Sequence, residues 1–282
     1  MPGTLFVVAT PIGNLEDITA RALRVLGEVS LIAAEDTRRT AHLLARYAIT
    51  TPTTSLHEHN EQKKSVSLVE RLRNGESIAL VSDAGTPTVS DPGHRFIAAA
   101  IEAGIRVEPL PGPSAALAAL AASGLPTDTF LFLGFPPIKA KDRLKWFEAV
   151  RSSARTVVFF EAPHRIRATL EQLLATVGDC KIAIGRELTK AHEELVRGPI
   201  SAILNEPLTA RGEFTVVVDV GHLPQSAVAE PAGDDEIAHE LGVLTKYSKL
   251  RRREAIATLA RRYGRTPNDV YAAIERAKKL VE

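Results

Sequence analysis

The sequence predicts an α/β protein built from two domains with mostly parallel sheets, followed by a small helical domain of helix-turn-helix outline. Three observations carry that expectation. Short apolar runs alternate with stretches of helical period from end to end. A Gly124-Leu-Pro126 break interrupts the alternation midway. The C-terminal stretch changes to short helical stripes rich in Lys and Arg.

The first alternation begins at Thr4–Ala9, a continuous apolar run such as a strand buried on both faces needs. Ile18, Ala22, Val25, Leu26 and Val29 then recur at helical spacing, the stripe ending near Gly27. Leu31–Ala34, Ser77–Val81 and Arg106–Leu110 read as further strands. Phe96, Ile97, Ala100 and Ile101 form a helical stripe that stops before Gly104, and an Ala-rich helix follows over Ser114–Ser123. Beyond the break, Thr129–Leu133, Thr156–Phe160, Lys181–Ile184 and Phe214–Asp219 are the strands, separated by helical stretches near 139–151 and 164–177. The predicted boundaries are 1–123, with the Gly/Pro-rich loops, 124–222 for a second α/β domain completing a cleft, 223–233 for a linker, and 234–282 for a basic helical domain.

In that last domain, Ile256, Leu259, Ala260 and Tyr263 form a stripe ending at Gly264. Thr266 supplies an N-cap, Pro267 the first helical position, and Val270, Ala273, Ile274 and Ala277 continue. Two helices joined at a Gly turn fit a helix-turn-helix outline. Lys246–Lys279 carries eleven basic and three acidic residues, a net +8 inside a chain whose formal charge is +1. A basic end on an acidic body is the footprint of a nucleic-acid contact, although a solvated helical face has the same composition.

Composition narrows the rest. Of 282 residues, 45% are hydrophobic and 24% charged, a globular balance that excludes disorder. The single Cys180 excludes a disulfide framework and a Cys-rich zinc site. His57 and His59 lack a third residue at metal spacing, so no metal is expected. No apolar run reaches the ~18 residues that span a bilayer and no secretory leader is apparent, so a cytoplasmic protein is expected.

In open parallel sheets, ligands bind beyond the carboxyl ends of the strands. Almost every predicted strand here runs into small, polar or charged residues: Thr10-Pro-Ile-Gly-Asn14, Glu35-Asp-Thr-Arg-Arg39, Ser82-Asp-Ala-Gly-Thr-Pro87, Pro111-Gly-Pro-Ser-Ala115, Gly134-Phe-Pro-Pro137 and Glu161-Ala-Pro-His-Arg165. There is no P-loop, no G-x-G-x-x-G after a strand and no G-x-S-x-G elbow. A transferase-like cleft holding a zwitterionic or neutral cofactor through backbone groups is what remains.

Taken together with Ser90-Asp-Pro-Gly93, those turns resemble the tetrapyrrole-methylase superfamily over residues 4 to 220 or so. Within it they are similar to the branch that 2′-O-methylates the ribose of cytidine 1402 in 16S rRNA. The resemblance implies a homodimer binding S-adenosyl-L-methionine between two α/β domains, with 16S rRNA or the small ribosomal subunit as partner. By analogy Asp83, Gly85, Thr86 and Val89 hold the methionine and ribose parts, and Ser114 and Ala115 close from the next strand. Pro11, Leu133, Gly134, Phe135 and Leu188 are candidates for the slot around the adenine or methyl. Thr86 stands where many relatives have an aspartate, which leaves open whether Asp83, Asp91 or backbone groups alone contact the cofactor.

A ribose hydroxyl is a weak nucleophile, and a base taking its proton adds ~10²–10⁴-fold. Glu161 and His164 are the candidates for that role, with Arg38 and Arg165 on RNA phosphate and Arg251, Arg252, Arg253, Arg261 and Arg262 gripping RNA from the helical domain. Equally, Glu161 and Arg165 fit a structural ion pair with His164 capping a helix. Two other functions stay open: a small-molecule methylase of the tetrapyrrole or diphthine kind, and a nucleic-acid-binding protein without catalysis.

Overall fold

The computed structural model describes residues 1–153, 155–221, 234–235, 237–238, 241, 245, 252–262 and 266–279. The predicted linker 223–233 and Arg251 lie outside these residues, as do Tyr263 and Gly264; at Arg261 and Arg262 only the backbone is described. Met1–Gly221 is one compact unit and His222–Glu282 another.

The first sheet joins β1 (Thr4–Val8), β2 (Leu31–Ala34), β3 (Thr53–Ser55), β4 (Ile78–Val81) and β5 (Arg106–Leu110) in the order β3-β2-β4-β1-β5. All its pairings are parallel. Strands β2 and β4 are buried throughout, which is why their sequences are continuous apolar runs rather than alternations. Helices α1 (Ala20–Glu28), α2 (Thr37–Arg46), α3 (Glu61–Arg73) and α4 (His94–Glu102) belong to this half. Two cores form around the sheet: Val8, Leu26, Ile32 and Val81 with α1 and α2, and Leu5, Leu72, Leu80 and Phe96 with α3 and α4.

The second sheet takes β6 (Phe130–Phe132), β7 (Thr156–Glu161), β8 (Lys181–Arg186), β9 (Glu194–Pro199) and β10 (Phe214–Asp219) in the order β6-β7-β10-β8-β9. The expectation of parallel strands fails here. Only β6 pairs with β7 in parallel, and the other three pairings are antiparallel. The cause is β9, which returns directly beside β8 after a short turn, where a parallel neighbour would need a helical crossover. Helices α6 (Ala140–Ser153), α7 (Ile166–Val177) and α8 (Ile200–Asn205) pack on this sheet around Trp146, Phe159, Leu170 and Val216.

Helix α5 (Ala115–Ser123) was expected to close the first domain, with the hinge after it at Gly124. Its Ala116, Ala119 and Leu120 instead pack on Val158, Ala183 and Val217 of the second sheet, and Arg197 of β9 donates to the Ala122 carbonyl at its end. The crossing between sheets is therefore Pro111-Gly-Pro113, before α5, and Gly124 is its left-handed cap (φ 73°).

In the C-terminal unit, helices Arg252–Arg262 and Pro267–Lys279 share a core of Ala255, Leu259, Ala260, Val270, Ala273 and Ile274 with Ile237 and Leu241. Thr266 caps as expected: its hydroxyl accepts from Asp269 N, while the Asp269 carboxylate accepts from Thr266 N and Oγ1. No described helix is long and apolar enough to cross a membrane.

Candidate active site

A cavity of about 350 Å³ lies where the carboxyl ends of the first sheet face β7, β10 and the β8–β9 turn. That volume is in the range of small-molecule sites, about 300–1,000 Å³. Of the residues expected from sequence, Asp83, Gly85, Thr86, Val89, Ser114, Ala115, Phe135, Leu188 and Glu161 line it. Pro11, Leu133 and Gly134 do not: Leu133 packs into the core of the second sheet, while the lining positions beside them are Ile12 and Phe135. His164 is exposed and outside the lining.

The floor is a backbone tie between the ends of β1 and β4. Thr10 N donates to the Gly85 carbonyl and Gly85 N to the Thr10 carbonyl, both at 2.9 Å, and the Thr10 hydroxyl reaches the Ser82 carbonyl. Gly85 sits at φ 83° and therefore presents no side chain and no free backbone donor: it gives a ligand room, not a hydrogen bond. The Thr86 hydroxyl donates to the Pro113 carbonyl at 3.2 Å, joining this floor to the turn before α5. Ser114 stands at the N-cap of α5 with no side-chain cap bond and is one of the residues lining the cavity.

Two apolar walls share one backbone device. Val89 lies between Thr88 (φ 71°) and Ser90 (φ 68°), and Leu188 lies between Glu187 (φ 51°) and Thr189 (φ 67°). Left-handed backbone at non-Gly residues costs of order 1–3 kcal/mol each, and such strain collects at ligand sites. Both loops are held by contacts elsewhere: Gly93 N to the Glu61 carboxylate, and Glu187 to Lys190 Nζ and Glu213 N. Phe135 and Phe160 complete the apolar lining, their ring centroids 5.4 Å apart.

The polar wall carries three carboxylates: Asp83, expected at the cofactor, Asp91, left open as a contact, and Glu35, to which the sequence assigned no role. Asp83 is already spent. It accepts Asp36 N at 3.0 Å and pairs with Arg39 at 3.4 Å, fixing the turn from β2 into α2. Burial, with the neighbouring Asp83 charge, raises the Glu35 carboxyl above the ordinary range. Burial and the Glu35 charge push Asp91 up to about 6. Both residues sit in turns that the strand-end pattern marked, but which carboxylate stays free depends on partners 47 residues apart, beyond the reach of spacing.

Glu161 and Arg165 form a buried ion pair, Oε1 to Nε at 3.3 Å, with the glutamate side chain 0% exposed and the arginine 17%. Glu161 also accepts from Ala162 N and the Thr169 hydroxyl. Arg165 donates to the Pro136 carbonyl at 2.7 Å. Arg165, expected on RNA phosphate, thus has its guanidinium engaged by Glu161 and the Pro136 carbonyl. His164 does not cap a helix, because α7 is capped at Arg165 without a side-chain bond. Arg38 is exposed and paired with Asp36 at 2.7 Å, which holds the Asp36 carboxyl well below the usual range. Arg252 and Arg253 are exposed, with Arg252 over the Tyr271 ring at 5.8 Å and 3.2 Å from Glu275.

Residues 4–204 match the family model of the tetrapyrrole (corrin/porphyrin) methylases. The chain belongs to that family. Among curated proteins, a ribosomal RNA small subunit methyltransferase I of Haemophilus influenzae is 42% identical over 280 residues, covering 96% of each chain. The protein of that name from Mesorhizobium japonicum is 48% identical over 250 residues, covering 87% of this chain and 84% of its own. Among solved structures, a diphthine synthase superposes with a TM-score of 0.61 at 17% identity, covering 77% of this chain and 90% of its own. The cobalt precorrin-4 methyltransferase of cobalamin biosynthesis gives 0.57 at 15%, covering 76% and 94%. At such identities these two establish the shared methylase fold.

Proposed function

We propose that this chain is an S-adenosyl-L-methionine-dependent methyltransferase of ribosomal RNA that 2′-O-methylates cytidine 1402 of 16S rRNA. The observation that carries the reading is the 42% identity, along 96% of both chains, to a relative named for small-subunit ribosomal RNA methylation. The cavity suits the donor. Its apolar lining of Ile12, Val89, Phe135, Phe160 and Leu188 fits an adenine and a thioether-like chain, and Ser114 at the start of α5 suits a carboxylate. The wall of Glu35, Asp83 and Asp91 against Arg39 suits a cation such as a sulfonium.

The donor supplies an activated methyl group. The chain supplies position, which alone accounts for much of the acceleration in a displacement that needs near-attack geometry of roughly 3–3.5 Å. The Glu161–Arg165 pair, anchored through Thr169 and the Pro136 carbonyl, holds the loops around Phe135 and Phe160 in place. On this reading the exposed Arg38, Arg252 and Arg253 contact RNA phosphate, and the protein acts in the cytoplasm as a homodimer by analogy.

The experiment is methyl transfer from labelled donor to small ribosomal subunits lacking the modification, with the site mapped by resistance of the neighbouring phosphodiester to alkali. Label at the 2′-oxygen of cytidine 1402 is expected. Label in protein or small molecules alone overturns the reading.

A further inference from the structure

Methyl transfer to a hydroxyl releases a proton, and the cavity's carboxylates are not equivalent as its destination. Glu161 is enclosed by Arg165, Thr169 and Ala162 N. Asp83 is bound by Asp36 N and Arg39. Glu213 pairs with Lys190 at 3.0 Å and is mostly exposed. His164 is outside the lining. Asp91 differs from all of these. It lines the cavity half-buried, and the charged groups that act on it are Glu35 and Asp83, both acidic, with the Ser82 side chain beside it. Its backbone is fixed on both sides, by left-handed Ser90 and by Pro92, and two residues on the Glu61 carboxylate pins Gly93.

Resting on the methyl-transfer reading above, we propose that Asp91 is the proton acceptor of the reaction. As the ribose oxygen bonds to the methyl carbon, the sulfur–methyl bond breaks and its electron pair stays on sulfur, leaving a neutral thioether. The hydroxyl proton passes to the Asp91 carboxylate and from there to solvent. Its neighbours favour this: burial and the Glu35 charge raise Asp91 to about 6, nearer the working pH than an ordinary carboxylate and still ionised at neutrality. Glu35 acts through Asp91 as a positioning residue.

The test is single-turnover methyl transfer to saturating small subunits across pH 5 to 9, with donor affinity measured by calorimetry on the same proteins. Wild type is expected to show a rising limb with its inflection near 6. Asp91→Asn is expected to lower the rate ~10²-fold or more and abolish that limb. Donor affinity, which loses one of the three carboxylates of the acidic wall, should fall by much less than the rate. Glu35→Gln is expected to move the inflection to lower pH, because the charge that raises Asp91 is gone. Carbon-13 aspartate resonances give a readout free of turnover: one carboxyl titrating near 6, absent in Asp91→Asn. If Asp91→Asn keeps the wild-type rate and limb, or that resonance is missing from wild type, the assignment to Asp91 is overturned while the methyltransferase reading stands. If wild type binds the donor and labels no subunit RNA, both fall.

Discussion

One carboxylate oxygen of Glu61 accepts the backbone N–H of Gly93 at 3.0 Å, and the same oxygen accepts Arg95 N at 2.8 Å and Phe96 N at 3.4 Å. The residue at the head of α3 thus caps α4, whose own N-cap, Gly93, has no side chain and sits at φ 122°. A side chain at Gly93 would also meet Leu80 Cδ2 at 2.8 Å, so the cap has to come from elsewhere in the fold. Glu61→Ala is expected to destabilise by about 1–3 kcal/mol, because it strands buried donors. Urea denaturation measures it, and weaker donor binding should accompany it as the Asp91–Gly93 turn loosens.

The Glu161–Arg165 pair makes a second expectation. Removing one partner of a buried pair leaves the other uncompensated, at about 3–5 kcal/mol. Glu161→Ala and Arg165→Ala should each lose most of that in chemical denaturation, with Glu161→Gln losing less. A Glu161→Ala protein as stable as wild type would show that the pair holds nothing in place.

Asp91 makes a pH-dependent one. Its folded carboxyl titrates near 6 against about 3.8 unfolded, so the folded state takes up this proton more readily. The contribution to stability is present below the unfolded value and lost as pH rises through 6. Asp91→Asn should therefore stabilise by ~1–2 kcal/mol at pH 7–8, after discounting for solvent screening of a half-exposed group. The gain should fade toward pH 4. Thermal melts across that window check it.

Thr88, a β-branched residue at φ 71°, supplies another. Thr88→Gly relieves left-handed strain of order 1–2 kcal/mol, offset by ~0.5–1 kcal/mol of extra unfolded-state entropy. Stability should rise slightly while donor affinity falls several-fold, since Val89 loses its fixed direction into the cavity. Calorimetry and melting on one preparation separate the two effects.

For the C-terminal helices, neutralising Arg252 and Arg253 should reduce the slope of log affinity for RNA against log salt by about 1 to 2. Donor affinity should not change. An identical slope over a salt series would leave these side chains merely solvated.

Much of this was readable in advance. The buried strands of the first sheet announced themselves because both faces are covered, so Leu31–Ala34 and Ile78–Val81 are uniformly apolar. Strand β9 escaped notice because Glu194–Pro199 is a half-exposed edge containing Gly and Pro, where no buried face enforces a pattern. The site's location followed from the turns at the strand ends. Its allocation of labour did not, because that rests on long-range pairings: Asp83 with Arg39 and Asp36, Gly85 with Thr10, Arg165 with the Pro136 carbonyl. Composition cannot say which of several carboxylates a distant arginine will neutralise.

Helix α5 starts at the cavity and lies along the opposite sheet, and the chain enters it through two prolines whose φ angles are locked. Asn14 N meets the Thr189 hydroxyl at 2.9 Å, stitching the far rim. The jaws are thus spliced at both margins, and a guest finds its berth ready-shaped. Little ordering is left for the moment of capture, so discrimination falls to contour and charge, with a small entropic toll on association.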